Sequence, residues 1–125
     1  MATILLVEDD DAVRDVLRKT LEAAGHEVEG AANGDLGLAA YRRQARDLVI
    51  TDLVMPEKNG LETIMELRRL NPAVKIIAIS GGGRTLGLGQ LYLESAQALG
   101  AGQILAKPFS AAALLSAVTE VLART

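Results

Sequence analysis

Five short apolar runs, each followed by a stretch of helical period, restrict what this chain can fold into. Ile4-Leu5-Leu6-Val7 lies in the first, about Thr3 to Val7. After it Val13, Val16, Leu17, Leu21 and Ala24 recur at helical spacing, and Gly25 stands where a glycine closes a helix. Val28 to Ala32 is a weaker run closed by Asn33-Gly34, and a helix is predicted over about Asp35 to Gln44. The third run, Leu48 to Thr51, leads to a turn at Asn59-Gly60. A helix through Leu61, Ile64, Met65 and Leu67 follows, stopped by Asn71-Pro72. The fourth run is Lys75 to Ser80, and after a glycine-rich stretch a helix is predicted at about Gln90 to Leu99, capped by Gly100. Ile104 to Ala106 is the last run, and Ala111, Leu114, Leu115, Val118, Val121 and Leu122 form the stripe of a final helix.

Strands that are apolar at every position are buried on both faces, which requires a parallel sheet with helices on each side. The chain therefore reads as α/β, a doubly wound five-stranded parallel sheet. Its 125 residues suit one domain. No linker, charge block or repeat divides it, so a single domain over residues 1–125 is expected, starting at Met1 and with no second domain after it. Half the residues are hydrophobic, but only Tyr41, Tyr92 and Phe109 are aromatic, so the core must be aliphatic.

Composition removes several functions. A net charge of −3 and basic doublets without interleaved aromatics (Arg42-Arg43, Arg68-Arg69) do not suggest a nucleic-acid face. Without cysteine there is no disulfide, thiol catalysis or thiolate metal site. Acids by position 8 exclude a signal peptide, and no apolar stretch approaches the roughly 20 residues that span a bilayer. A cytoplasmic protein without membrane insertion is expected.

In open parallel sheets ligands bind beyond the carboxyl ends of the strands. Here those ends are Glu8-Asp9, Asp52, Ser80 and Lys107-Pro108. Asp10 and Asp11 read instead as cap and dipole partners of the first helix. Three carboxylates at one edge repel: at about 5 Å and an effective dielectric of about 20, each pair costs on the order of 3 kcal/mol. Protons or a cation must relieve this. Two or three carboxylate oxygens suit Mg²⁺, and a lysine and a hydroxyl beside them suit an anionic ligand. That combination matches the needs of phosphoryl transfer, and a carboxylate can itself be the acceptor. Asp52, central among the strand ends, is the best acceptor.

At this point the chain resembles a response-regulator receiver domain of two-component signalling. The matching pieces are Glu8-Asp9, Asp52 with Met55-Pro56 and Asn59-Gly60, Ser80, Gly100-Ala101, and Lys107-Pro108-Phe109, in order over essentially the whole chain. The resemblance implies a flavodoxin-like strand order of 2-1-3-4-5, and because the fifth helix runs to Thr125, no output domain is expected. It implies Asp52 as phosphoacceptor and Asp9 as a direct Mg²⁺ ligand. Glu8 would bind the ion through water, and the Val54 carbonyl would add a ligand. Lys107 would contact a phosphoryl oxygen, Ser80 would shift toward it, and the Lys107-Pro108 peptide would be cis. The donor would be a phosphohistidine on a histidine kinase or histidine phosphotransfer protein. The domain would catalyse its own phosphorylation and dephosphorylation without being a conventional enzyme. It would switch a downstream protein or shuttle phosphate, as a monomer or weak homodimer through surplus apolar surface on the last helix.

Two features depart from the family. Ile104 stands where the family often has a rotating aromatic, so readout would need backbone shifts or another side chain such as Tyr92. The segment Gly81 to Gly89 is longer than usual and carries five glycines. It reads as a mobile loop, or as an element ordered through Ser80 with Arg84 as its cation. His26 reads as exposed and inert, and Tyr41 and Tyr92 as packing helix to sheet. The alternative function is a phosphorylation-independent receiver-like binding module. An aspartate-nucleophile phosphatase would want an acid where Val54 stands, and a flavodoxin-type cofactor carrier would need a phosphate loop where Glu8-Asp9-Asp10-Asp11 repels phosphate.

Overall fold

The computed structural model describes residues 2–53, 60–80, 94 and 99–124. Its elements are β1 (Thr3–Val7), α1 (Asp11–Ala23), β2 (Glu27–Ala31), α2 (Gly34–Arg43), β3 (Leu48–Asp52), α3 (Gly60–Leu70), β4 (Ile76–Ser80), β5 (Gln103–Ala106) and α4 (Ala111–Leu122). Five parallel strands form one sheet in the order β2-β1-β3-β4-β5. This is the flavodoxin-like arrangement expected from the resemblance. The helix expected at about 90–99 lies outside the described residues except for Glu94, which is helical, and Leu99. The glycine segment 81–89, Val54, Arg84 and Tyr92 also lie outside them.

Successive residues of one strand enter two separate cores. Leu5, Val7, Val49, Leu53, Ile76 and Ala78 join Leu38, Tyr41, Ile64 and Leu67 under α2 and α3. Ile4, Leu6, Leu48, Ile50, Ile77 and Ile79 join Leu17, Leu21, Leu114, Val118 and Val121 under α1 and α4. Each fully buried Leu or Ile contributes about 1.5–3 kcal/mol, so both faces demand apolar side chains. The central β3 is buried along its full length, whereas β2, at the sheet edge, exposes Glu27 and Gly30. That edge position explains its weaker apolar pattern.

Local chemistry ends the helices. Asp10 caps α1, its Oδ1 accepting from the Ala12 and Val13 amides at 2.9 and 3.0 Å. Asn33 and Ser110 cap α2 and α4 in the same way. Gly25 takes φ +95° after α1, where any Cβ would be strained. His26 departs from expectation. It is half-buried, and its Nδ1 accepts from the Ala2 amide at 3.2 Å, tying the start of the chain to the turn before β2. Tyr41 packs α2 onto the sheet as expected, and its hydroxyl oxygen accepts from Asn71 Nδ2 at 3.0 Å. Among the described residues, no helix is long and apolar enough to cross a membrane.

Candidate functional site

Because all five strands run parallel, their carboxyl ends share one edge. Glu8 directly follows β1 and extends its pairing, its amide donating to the Ala31 carbonyl at 3.0 Å. Asp52 closes β3, in register with Ile79 of β4. Lys107 follows β5, and its peptide to Pro108 is cis, as the resemblance implied. Both carboxylates are buried, Glu8 at 2 % and Asp52 at 3 % exposure, while Asp9 is exposed. Lys107 Nζ donates to Glu8 Oε1 at 3.0 Å and to Asp52 Oδ2 at 3.2 Å, spanning the two acids. One carboxylate oxygen from each of Glu8, Asp9 and Asp52 lies within 4.8 Å of the others.

Fully ionised, three carboxylates against one ammonium leave a charge of minus two. The structure carries the electrostatic consequence. Burial, followed by the adjoining Asp52 carboxyl, pushes the Glu8 carboxyl up to about 8, with Lys107 opposing. Burial pulls the Lys107 ammonium down, but hydrogen bonds and charge from Glu8 and Asp52 outweigh it and raise its pKa. Glu8 Oε2 is buried and, among the described residues, has no hydrogen-bond partner, which leaves a lone pair for a cation. An all-oxygen donor set with one such orphan fits a hard divalent ion.

The start of α3 meets the end of β3 through a contact that local sequence does not reveal. The Gly60 amide donates to the Leu53 carbonyl at 2.9 Å. A Cβ on Gly60 would fall 2.2 Å from the Asp52 carbonyl oxygen and 2.6 Å from Leu53 Cα. The start of α3 therefore rests directly on the Asp52–Leu53 peptide. Asn59-Gly60 signals a turn in the sequence, but the close approach that requires glycine is tertiary.

The structure brings Glu8, Asp9, Asp52 and Lys107 together. Ser80 ends β4 at the same edge, its backbone in register with Ala106. Ile104 is half-buried, in register with Ala78, and packs against the core under α2 and α3. The remaining predicted positions, Val54, Arg84 and Tyr92, are outside the described residues.

The five-stranded doubly wound sheet is shared with solved receiver domains, and an acid–lysine cluster lies at its carboxyl edge. The chain belongs to the response regulator receiver domain family, whose sequence pattern matches residues 4–119. It is 33% identical over 119 residues to the chemotaxis protein CheY of Thermotoga maritima, covering 94% of this chain and 95% of that protein. It is 37% identical over 121 residues to the DNA-binding transcriptional regulator NtrC of Azospirillum brasilense, covering 97% of this chain and 24% of that protein. The chain thus spans about a quarter of the NtrC relative and nearly all of the CheY relative. The crystal structure of the receiver domain of NtrX from Brucella abortus matches with a TM-score of 0.89 at 30% identity, covering 98% of this chain and 99% of that one.

Proposed function

We propose that this chain accepts a phosphoryl group on Asp52 from a phosphohistidine donor in a Mg²⁺-dependent reaction. The observation that carries the reading is the pairing of a buried Asp52 carboxylate with Lys107 Nζ at 3.2 Å beside two further acids. Membership of the receiver family supports it. Glu8, Asp9 and Asp52 would hold the ion, with the Val54 carbonyl as the further ligand that the family resemblance implies. When bound, Mg²⁺ supplies positive charge against the phosphoryl oxygens and neutralises the cluster.

In the transfer, an Asp52 oxygen attacks phosphorus as the bond from phosphorus to the donor imidazole nitrogen breaks. The electron pair of that bond leaves with the imidazole, and Asp52 becomes an acyl phosphate. Lys107 exchanges one carboxylate contact for a phosphoryl oxygen and stabilises the charge that develops there. Burial of Asp52 keeps bulk water from its carboxyl. Ser80, at the end of the adjacent strand, is the group we assign to sensing the phosphoryl group. Transfer and hydrolysis would both be catalysed by the domain on itself, so it is not a conventional enzyme. Its partners would be a histidine kinase or phosphotransfer protein and a downstream protein target.

Incubation with Mg²⁺ and acetyl phosphate followed by intact mass tests this. A single phosphoryl adduct is expected, absent in Asp52→Ala and absent with chelator. An unmodified native chain would overturn the reading in favour of a phosphorylation-independent binding module.

A further inference from the structure

Arg14 reaches back from α1 to the backbone of the acidic pair. Its Nη1 donates to the Glu8 carbonyl at 2.8 Å, and its Nη2 donates to Asp11 Oδ1 at 2.6 Å. The Glu8 amide is already held by the Ala31 carbonyl at 3.0 Å. Glu8 is therefore gripped at both its N–H and its C=O. On the other side of Asp9, Asp10 is fixed as the cap of α1. Among the described residues, the Asp9 carboxylate has no hydrogen bond of its own, so its direction is set by the backbone between these anchors.

The route of the Arg14 side chain is itself arranged. Its stem lies across Gly30 of β2, where a Cβ would sit 3.1 Å from Arg14 Cδ and 3.4 Å from Cγ. Gly30 is a poor strand residue by propensity, and its lack of a side chain leaves the channel that the stem occupies. A guanidinium suits the position because its planar fork serves the carbonyl and Asp11 together, which one ammonium cannot do in the same geometry.

We propose that Arg14 is a positioning residue for the divalent cation: it fixes the Glu8–Asp9 peptide so that both carboxylates face the ion, without touching it. This rests on the Mg²⁺ reading of the site. A charge effect would act in the opposite direction, since removing a cation near a cation site should tighten binding. The sign of the change therefore separates positioning from electrostatics.

The probe is Mn²⁺, with free ion counted by its electron paramagnetic resonance signal, for the native chain, Arg14→Gln, Arg14→Lys and Gly30→Val. Arg14→Gln should raise the Mn²⁺ Kd about tenfold, as for other residues that orient metal ligands. Arg14→Lys should fall between it and the native chain. Gly30→Val keeps every charge and adds a favourable strand residue, yet it displaces the stem and should also weaken binding. Thermal midpoints in chelator report folding separately. Native binding with both Arg14→Gln and Gly30→Val within about twofold of it would overturn the positioning role alone, given the tenfold scale expected. A native chain that binds no Mn²⁺ would overturn the metal reading and this inference with it.

Discussion

Replacing Glu8 by Gln should stabilise the protein when no divalent ion is present. The Glu8 carboxyl titrates near 4.5 in an unfolded chain and at about 8 in the folded one. Between those values the folded state binds the extra proton, so stability falls as pH rises. The decline begins above the unfolded value and ends once pH passes the folded value. At about 1.36 kcal/mol per pH unit, the protein at pH 7 has lost on the order of 3 kcal/mol relative to its acid limit. Gln resembles the protonated form and carries no such dependence. It also accepts more weakly from Lys107, which loses part of its pairing, so a net gain of about 2 kcal/mol at pH 7 is expected. For a chain of this length that corresponds to a rise of roughly 8 °C in thermal midpoint.

The assay is urea unfolding in chelator from pH 5 to 8 for both proteins. Native stability should fall along the series, Glu8→Gln should flatten it, and the two should converge near pH 5. Added Mg²⁺ should then stabilise the native chain more than Glu8→Gln. At a hundred times the dissociation constant, the gain for the native chain is about 2.7 kcal/mol. A native profile that is flat over this range, or a Glu8→Gln variant no more stable at pH 8, would refute the account of the cluster as strained by unrelieved charge.

Three further changes test other parts of the structure. Gly60→Ala places a methyl 2.2 Å from the Asp52 carbonyl oxygen, so α3 must move. Urea unfolding should show a loss of about 3 kcal/mol or more, and a loss under about 1 would contradict the close approach. Asp47 accepts from the Thr3 amide and hydroxyl at 2.9 and 3.1 Å, and the amide bond is the main cause holding its carboxyl below the ordinary range. Its contribution is present above the ordinary value of 3.8 and lost as pH falls through the lower folded value. Because the site is exposed, Asp47→Asn should cost under about 1 kcal/mol at pH 7 in urea unfolding, a difference that shrinks on acidification. Lys107→Met removes the cation between Glu8 and Asp52, and the rate of adduct formation from acetyl phosphate should fall about 100-fold. An unchanged rate would remove Lys107 from the transfer.

The strands were legible because each of β1, β3 and β4 feeds two cores and so must be apolar at consecutive positions. β2 was less so, since at the sheet edge its faces are only partly covered: Val28 and Glu29 are half-buried, and Glu27 and Gly30 are exposed. The site was legible for a topological reason: in a parallel sheet the residue after each strand lands at the same edge, whatever the loop lengths. The unequal burial of neighbouring Glu8 and Asp9 was not legible, because their environments are set by β2 and by Lys107, about a hundred residues away. Arg14 and Gly30 meet only through the packing of α1 over β2. His26 read as inert because its partner is a backbone amide, which no sequence pattern marks.

The same imbalance unites stability and function. A cluster built only for stability would match Lys107 with one acid. This one holds three, and the acid that takes up the strain as a proton is Glu8, whose Oε2 has no partner among the described residues. A proton relieves one charge, whereas a divalent ion relieves two and leaves all three carboxylates ionised. Ionised Asp52 is the form that can attack phosphorus. Once modified, Asp52 gains further negative charge, which neither Lys107 nor the ion alone would neutralise. At limiting Mg²⁺, phosphorylation should therefore slow as pH falls below about 8, because the Glu8 proton and the ion compete for the same oxygens, and saturating Mg²⁺ should flatten that dependence. Equal pH profiles at low and saturating Mg²⁺ would show that Glu8 belongs to the scaffold and not to the ion's site.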